Sequence, residues 1–181
     1  MNIPNAISLG RLLAVPVAIW LIMSNYWTAA FWLFVAAGVS DALDGFIAKR
    51  FNVATELGHY LDPLADKALL GGVFLTLAAQ GKLPVWLALL VVTRDFLIVG
   101  GAILWNFLGR AKAIKPTPMS KANTAAQISL AGLVLAEAGL GLAIAPLVAG
   151  GVYVVAATTV ASGIGYLRRW SSAASPPEPA E

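Results

Sequence analysis

The stretch that decides the fold is residues 122–167, ANTAAQISLAGLVLAEAGLGLAIAPLVAGGVYVVAATTVASGIGYL, which is almost continuously apolar. At about 1.5 Å per residue, one helix of this length would be roughly twice as long as the hydrocarbon core of a bilayer is thick. The segment must therefore fold back once. Glycines and a proline, which weaken helices, gather in GLGLAIAP at residues 139–146, so we predict the turn there, near Pro146.

The rest of the chain has the same apolar character. Of its 181 residues, 59% are hydrophobic and 12% are charged, with a mean hydropathy of +0.80. A soluble domain is nearer half apolar and a quarter charged, so we predict a membrane protein. Apolar runs long enough for one crossing each predict an all-α integral membrane protein, a bundle of six transmembrane helices. The runs lie near residues 6–23, 28–48, 61–80, 83–108, 122–142 and 146–167.

The two ends of the chain are interpreted differently. The first run could be a signal peptide, but Arg11 lies inside its apolar start, no convincing cleavage site follows and five more runs come after it. We predict a retained helix and a membrane domain over residues 1–170, followed by a disordered polar tail at 171–181.

The chain has no cysteine, which excludes disulfides and thiolate chemistry.

Lysine and arginine fall almost entirely on one side of the six predicted spans. The other side holds only Lys82. The basic side is predicted to be cytoplasmic, with both termini on it. The small net charge of +3 is better explained by this topology than by nucleic-acid binding, so no nucleic-acid partner is expected. The basic side carries Arg11, Lys49, Arg50, Arg110, Lys112, Lys115, Lys121, Arg168 and Arg169.

A second stretch, SDALDGFIAKRFNVATELGHYLDPLADK at residues 40–67, places Asp41, Asp44, Asp62 and Asp66 at the cytoplasmic ends of the second and third runs. Ionised carboxylates persist near an apolar medium when they are paired, bound to metal or facing water. The first two are spaced i, i+3 and the last two i, i+4, so each pair projects from one helix face. Two such faces turned together would form a cage of oxygen ligands suited to Mg²⁺, Mn²⁺ or Ca²⁺.

Three alternatives bear on this cage. The aspartates could pair with Lys49, Arg50 and Lys67 at the membrane surface, but four carboxylates outnumber the nearby cations and would repel one another without metal. Pro63 could make Asp62 a helix N-cap, which would change the geometry of the second pair. A small transporter would also bury carboxylates, although transport sites lie near the midplane and recur in repeated halves, whereas these acids cluster once at one face.

Read as D-x2-D-G-x2-A-[basic]-x8-G-x3-D-x3-D, the aspartate stretch resembles the signature of the CDP-alcohol phosphatidyltransferases. The resemblance extends to NIPNAISLGRLLAVP at the amino terminus, to LDPLADK and to the six spans, and so covers nearly everything except the polar tail. One position departs from the family, which usually has Arg where this chain has Lys49. A lysine is a point charge and does not form the planar fork that binds phosphate with two hydrogen bonds.

The resemblance implies transfer of a phosphatidyl group from CDP-diacylglycerol to an alcohol, with release of CMP. It implies that Asp41, Asp44 and Asp62 hold two divalent cations, Mg²⁺ or Mn²⁺, and that Asp66 is the general base and a further metal ligand. It also implies a homodimer. The residues expected to line the CDP-lipid are Gly45, Ala48, Lys49 and Gly58.

The acceptor is predicted from two other stretches. TRDFLIVGG at residues 93–101 and IKPTPMSKANTAAQ at 114–127 look like the CMP-forming cardiolipin synthases, whose acceptor is phosphatidylglycerol. The alternative is a phosphatidylglycerophosphate synthase, which uses glycerol 3-phosphate and tends to have Arg-Glu where this chain has Arg94 and Asp95. Both acceptors carry a phosphate, and the candidate cations for it are Arg94, Arg110, Lys112 and Lys121.

Arg94 has a second interpretation. As neighbours on a helix, Arg94 and Asp95 are predicted to point in different directions, and a pair between Arg94 and Glu137 is the alternative to a phosphate-binding role.

Overall fold

The computed structural model describes the backbone of residues 3–51, 56–107 and 117–174, and the side chains of residues 10–41, 66–101 and 117–168. Over these ranges the chain forms six α-helices and no strand, as the apolar runs predict. The helices are α1 (Ile3–Met23), α2 (Trp27–Phe51), α3 (Glu56–Ala79), α4 (Val85–Phe107), α5 (Pro118–Leu140) and α6 (Ala145–Ala174).

The predicted reversal between the last two helices is confirmed. α5 ends at Leu140, and Gly141 follows with φ 67°, a left-handed conformation that glycine adopts without strain. α6 begins at Ala145, so Pro146 lies in its first turn, where a missing backbone N–H breaks no hydrogen bond. The glycine stops one helix and the proline allows the next to start.

The apolar surface of the bundle is large. Within the described residues one helical segment, Ala145–Arg168, is long and apolar enough to cross a membrane, and Gly10–Met23 is a shorter apolar helix. Large apolar side chains are also exposed on every helix, as at Trp20, Phe96 and Tyr153. Exposed apolar surface on this scale is typical of contact with lipid. Six membrane spans stay a prediction.

The helices pack around a core of aliphatic and aromatic side chains. α1 packs mainly on α3, and α5 packs mainly on α6, while α2 contacts both α1 and α5. The centre of the core contains Phe74, Leu77, Leu87, Leu130 and Val155, each with less than 2% of its surface exposed. In apolar surroundings the close packing of such side chains holds the helices together through van der Waals contacts.

One end of the bundle, which we call the Trp27 end, is closed by polar contacts between helix termini. Thr28 donates a hydrogen bond of 2.6 Å from its hydroxyl to the Gly139 carbonyl, and the Lys82 ammonium lies 5.3 Å from the centre of the Trp27 ring. Asp41 lies about 20 Å further along α2, given the rise of a helix. Lys82 and the aspartates therefore lie far apart along the bundle, as their predicted opposite sides require.

Gly139 packs directly against the backbone of α2. A Cβ atom on Gly139 would lie 2.8 Å from both the carbonyl carbon and the oxygen of Trp27. We therefore expect Gly139→Ala to lower the free energy of unfolding by about 1–3 kcal/mol, because backbone cannot move aside as a flexible side chain does. The measurement is thermal unfolding of the detergent-solubilised protein.

The matched control is Gly132→Ala, on the same helix. A Cβ there would meet Phe34 at 3.9 Å, an ordinary contact. This variant should be neutral or more stable, because alanine favours a helix over glycine by about 1 kcal/mol. Equal stability of the two variants would contradict the close packing at Gly139.

Candidate active site

A buried guanidinium joins the first three helices. Arg11 of α1 has 2% of its side chain exposed, and its Nη1 lies 2.8 Å from Asp41 Oδ1 on α2 and 2.5 Å from Asp66 Oδ1 on α3. The two carboxylates are 48% and 43% exposed, so they cover the cation on one side and are open to ligand on the other. We call these three residues the Arg11 cluster.

Both carboxylates lie within their helices, as the predicted helical spacing of the aspartates requires. α2 continues from Asp41 to Phe51, and α3 already begins at Glu56, upstream of Asp66. Both helices extend a few residues beyond the apolar runs, because helical hydrogen bonding does not require apolar side chains. The helix also includes Asp62 and Pro63, so the N-cap alternative for Asp62 is wrong.

Several predicted site residues lie where no side chain is described. For Asp44 and Asp62 the backbone is helical, which keeps the spacing of each aspartate pair on one helix face. The side chains outside the described residues are Asp44, Gly45, Ala48, Lys49, Gly58, Asp62, Arg110 and Lys112.

The donor set of the Arg11 cluster fits a divalent cation. Among the described side chains no three acidic or histidine residues converge, so what can be tested there is the pair Asp41 and Asp66. Their oxygens already converge on one positive charge and remain half exposed. Hard carboxylate oxygens are the ligands that Mg²⁺ and Mn²⁺ prefer.

Of the cations in the surface-pairing alternative, Lys67 is the one whose side chain the structure describes, and its partner is a different carboxylate. Lys67 bonds to Asp95, at 3.0 Å, rather than to the four-aspartate stretch. Asp41 and Asp66 pair with Arg11, a residue that the sequence linked to topology and to a retained first helix but not to the aspartates. A signal was present, because a cation inside an apolar run needs a buried anion as its partner.

A second charged group, which we call the Arg94 cluster, consists of Lys67, Arg94 and Asp95. Arg94 has a side chain that is 4% exposed, and its Nη1 lies 2.6 Å from the Asp95 carboxylate, which Lys67 also contacts. The prediction that Arg94 and Asp95 point apart is wrong, since the long arginine side chain reaches its neighbour. The described contacts of Arg94 do not include Glu137.

The remaining contacts of Arg94 connect α4 to α5 and α6. Its Nη2 donates hydrogen bonds to Ser120, at 2.6 Å, and to Ser162, at 2.5 Å. The guanidinium carbon lies 5.9 Å from the centre of the Tyr166 ring, within the range of a cation–π contact. Lys121 is exposed beside Ser120. No sequence pattern indicated that Ser120, Ser162 or Tyr166 would contact Arg94.

The charges of the Arg94 cluster do not balance. Two cations, Lys67 and Arg94, share one carboxylate, and Lys67 is 30% exposed. A partly buried excess of positive charge favours an anion, and phosphate is a good partner for both side chains. Because Lys67 directly follows Asp66, this cluster adjoins the Arg11 cluster.

A further polar contact lies between α5 and α6. The fully buried Asn123 accepts hydrogen bonds from the hydroxyls of Thr158, at 2.8 Å, and Thr159, at 2.9 Å. Hydrogen bonds of this kind hold helices together where the surroundings are apolar.

Comparison of the chain with known proteins shows the family to which it belongs. The family model described as CDP-alcohol phosphatidyltransferase matches residues 1–163. A chloroplastic CDP-diacylglycerol–glycerol-3-phosphate 3-phosphatidyltransferase of Oryza sativa subsp. japonica is 36% identical, over 92% of this chain and 56% of that protein. A cardiolipin synthase (CMP-forming)/mitochondrial hydrolase fusion protein of Schizosaccharomyces pombe is 35% identical, over 91% of this chain and 30% of its own.

Both of these relatives are longer proteins, of which this chain spans about half or less. A CDP-diacylglycerol–glycerol-3-phosphate 3-phosphatidyltransferase of Rickettsia bellii is 34% identical over 92% of this chain and 94% of that protein. The relatives thus carry two kinds of name, glycerol-3-phosphate 3-phosphatidyltransferase and cardiolipin synthase (CMP-forming). The chain itself belongs to the CDP-alcohol phosphatidyltransferase family.

Proposed function

We propose that the chain moves a phosphatidyl group from CDP-diacylglycerol to phosphatidylglycerol and releases CMP, which is the reaction of a cardiolipin synthase. The observation that carries the proposal is the convergence of Asp41 and Asp66 beside the Arg94 cluster, in a chain of this family. The first group suits a metal-bound diphosphate, and the second suits the phosphate of an acceptor. The alternative acceptor is glycerol 3-phosphate.

In this proposal Asp41, Asp44, Asp62 and Asp66 hold two divalent cations, Mg²⁺ or Mn²⁺. When bound, such cations neutralise a diphosphate and stabilise the departing CMP. Gly45, Ala48 and Gly58 leave room for the nucleotide to approach the backbone, and Lys49 offers it a positive charge.

Asp66 is proposed as the general base. Its carboxylate is 43% exposed, so an acceptor hydroxyl has access to it. In the transfer step, the acceptor hydroxyl oxygen bonds to the phosphorus of the phosphatidyl group, and the bond from that phosphorus to the CMP oxygen breaks. The proton of the acceptor hydroxyl passes to the Asp66 carboxylate. Because Arg11 lies beneath the carboxylate, Asp66 faces the reacting groups from a fixed position.

Arg110, Lys112 and Lys121 are proposed as further cations for the phosphate of the acceptor. The Arg94 cluster supports such an acceptor, because its excess of positive charge favours a phosphate. A groove beside it supports a lipid. The groove has a volume of about 230 Å³, lies between α4 and α6, and is lined mainly by apolar side chains, with Arg94 and Tyr166 in its wall. Acyl chains would use such a groove, whereas glycerol 3-phosphate has none.

We also propose that the chain is a multi-pass membrane protein, with both termini and the active site on the cytoplasmic side. The separation of Lys82 from the aspartates along the bundle supports this orientation. A homodimer is expected from the family resemblance.

The function is tested by measuring CMP release from CDP-diacylglycerol by the purified protein in vesicles. With phosphatidylglycerol we expect turnover at least about tenfold faster than with glycerol 3-phosphate, a difference in transition-state stabilisation of about 1.4 kcal/mol. Chelation should abolish turnover, and Mg²⁺ or Mn²⁺ should restore it. A preference for glycerol 3-phosphate would favour the alternative acceptor, and full turnover after exhaustive chelation would contradict the metal requirement.

The roles within the aspartates are separated by Asp66→Asn and Asp41→Asn. An amide keeps the shape of the carboxylate but does not accept the proton, so Asp66→Asn should reduce single-turnover CMP release by about 10²–10⁴-fold while CDP-diacylglycerol still binds. Asp41→Asn should weaken binding of metal and of CDP-diacylglycerol. If excess metal rescues both variants equally, Asp66 is a metal ligand and not the base.

The groove is tested by Gly163→Leu. A Cβ on Gly163 has no atom within 4 Å, and this residue lines the groove, so leucine should fill it without displacing protein. We expect KM for phosphatidylglycerol to rise about 5-fold or more, because one lost apolar contact is worth roughly 1–3 kcal/mol. KM for glycerol 3-phosphate should not change.

The matched control is Gly165→Leu. A Cβ on Gly165 is equally free of contacts, but this residue lies outside the groove lining. It should leave both KM values unchanged. An equal rise with both acceptors in Gly163→Leu would show that the groove does not hold the lipid acceptor.

A further inference from the structure

We propose that Arg11 is a positioning residue that competes with the divalent cation for Asp41 and Asp66. In this inference Arg11 holds the two carboxylates together before metal binds, and its charge limits how tightly the metal is held. The inference rests on the metal-binding role proposed above for these aspartates. It concerns a residue of α1, outside the aspartate stretch.

The geometry of the Arg11 cluster carries the inference. A single nitrogen, Arg11 Nη1, contacts one oxygen of each carboxylate, at 2.8 Å and 2.5 Å. The cation therefore lies between the two oxygens, which is where a shared divalent cation would also lie. Two carboxylates this close repel each other unless a positive charge is shared between them, so the guanidinium performs in the metal-free protein part of what a metal would do.

Burial makes the competition unavoidable. The Arg11 side chain is 2% exposed on a helix that packs against α3 and α2, so it cannot withdraw into water as a surface arginine would. A dication bound to Asp41 and Asp66 would lie within a few ångströms of the guanidinium, and the two positive charges would repel each other. Metal binding must therefore weaken the two arginine bonds or tolerate that repulsion. Either cost lowers the affinity for the metal.

The chain contains its own control for the loss of a buried guanidinium. Arg94 is 4% exposed and is also paired with a carboxylate, but its partner is Asp95 rather than Asp41 or Asp66. Removing either arginine disturbs a buried ion pair, which is destabilising in general. Only the removal of Arg11 should change the affinity of the aspartates for metal.

The experiment measures Mn²⁺ binding by electron paramagnetic resonance, which separates free from bound Mn²⁺ without any substrate. The parent chain is compared with Arg11→Gln, Arg11→Lys and Arg94→Gln, each purified in detergent and stripped of metal. We expect Arg11→Gln to bind Mn²⁺ about 10-fold tighter or more, within the usual range of coupling between two sites. Arg11→Lys, which keeps a charge without the fork, should fall between, and Arg94→Gln should match the parent chain.

Thermal unfolding supplies a second readout. Without metal, Arg11→Gln should unfold at a lower temperature than the parent chain, because two converging carboxylates then lack their cation. Saturating Mn²⁺ should raise its midpoint by more than it raises that of the parent chain, since tighter binding to the folded state stabilises it more. A residue with a merely structural role would lower the midpoint without strengthening the response to Mn²⁺.

Each outcome decides a separate point. Unchanged or weaker Mn²⁺ binding by a folded Arg11→Gln overturns the competition and leaves the proposed metal site intact. If Arg11→Gln does not fold, Arg11→Lys decides, and binding no tighter than that of the parent chain overturns the inference. A parent chain that binds no Mn²⁺ overturns the metal site and this inference together, while the assay of CMP release from CDP-diacylglycerol still tests the proposed transfer.

Discussion

The structure depends on one buried positive charge. Arg11 joins α1 to α2 and α3 through Asp41 and Asp66, and a charge that is only 2% exposed has no other source of stabilisation than such partners. The same contacts that stabilise the Arg11 charge also hold the carboxylates of Asp41 and Asp66 in place. Replacing a buried pair by apolar residues often stabilises a protein, so the retention of three charged groups here is consistent with a role in function.

The second half of the bundle is held together by the same principle. Arg94 contacts Asp95 on its own helix, Ser120 on α5 and Ser162 on α6, and Lys67 brings α3 into the group. The two charged clusters thus share α3, where Asp66 and Lys67 are consecutive. A substrate with a diphosphate and an acceptor with a phosphate would meet at this point, which is the arrangement that a transfer between them requires.

Local patterns in the sequence predicted what is local in the structure. The apolar runs predicted six helices, and the glycines and proline of residues 139–146 predicted the reversal before α6, because both depend on neighbouring residues. Contacts between distant residues were not predictable in the same way. Nothing near Arg11 specifies Asp66, and the Arg94–Asp95 pair depends on the reach of a side chain rather than on helical spacing. Spacing placed the aspartates on helices, as the structure has them, because helical periodicity is also local.

The position of Arg11 also bears on how the chain enters a membrane. Arg11 belongs to α1, which leaves the ribosome before the partners of Arg11 on α2 and α3. An unpaired arginine within an inserting helix is costly, so in the proposed membrane orientation α1 inserts less favourably until those carboxylates have been synthesised. In that orientation the insertion of α1, α2 and α3 is coupled, and α1 reaches its final depth only when α3 has arrived beside it.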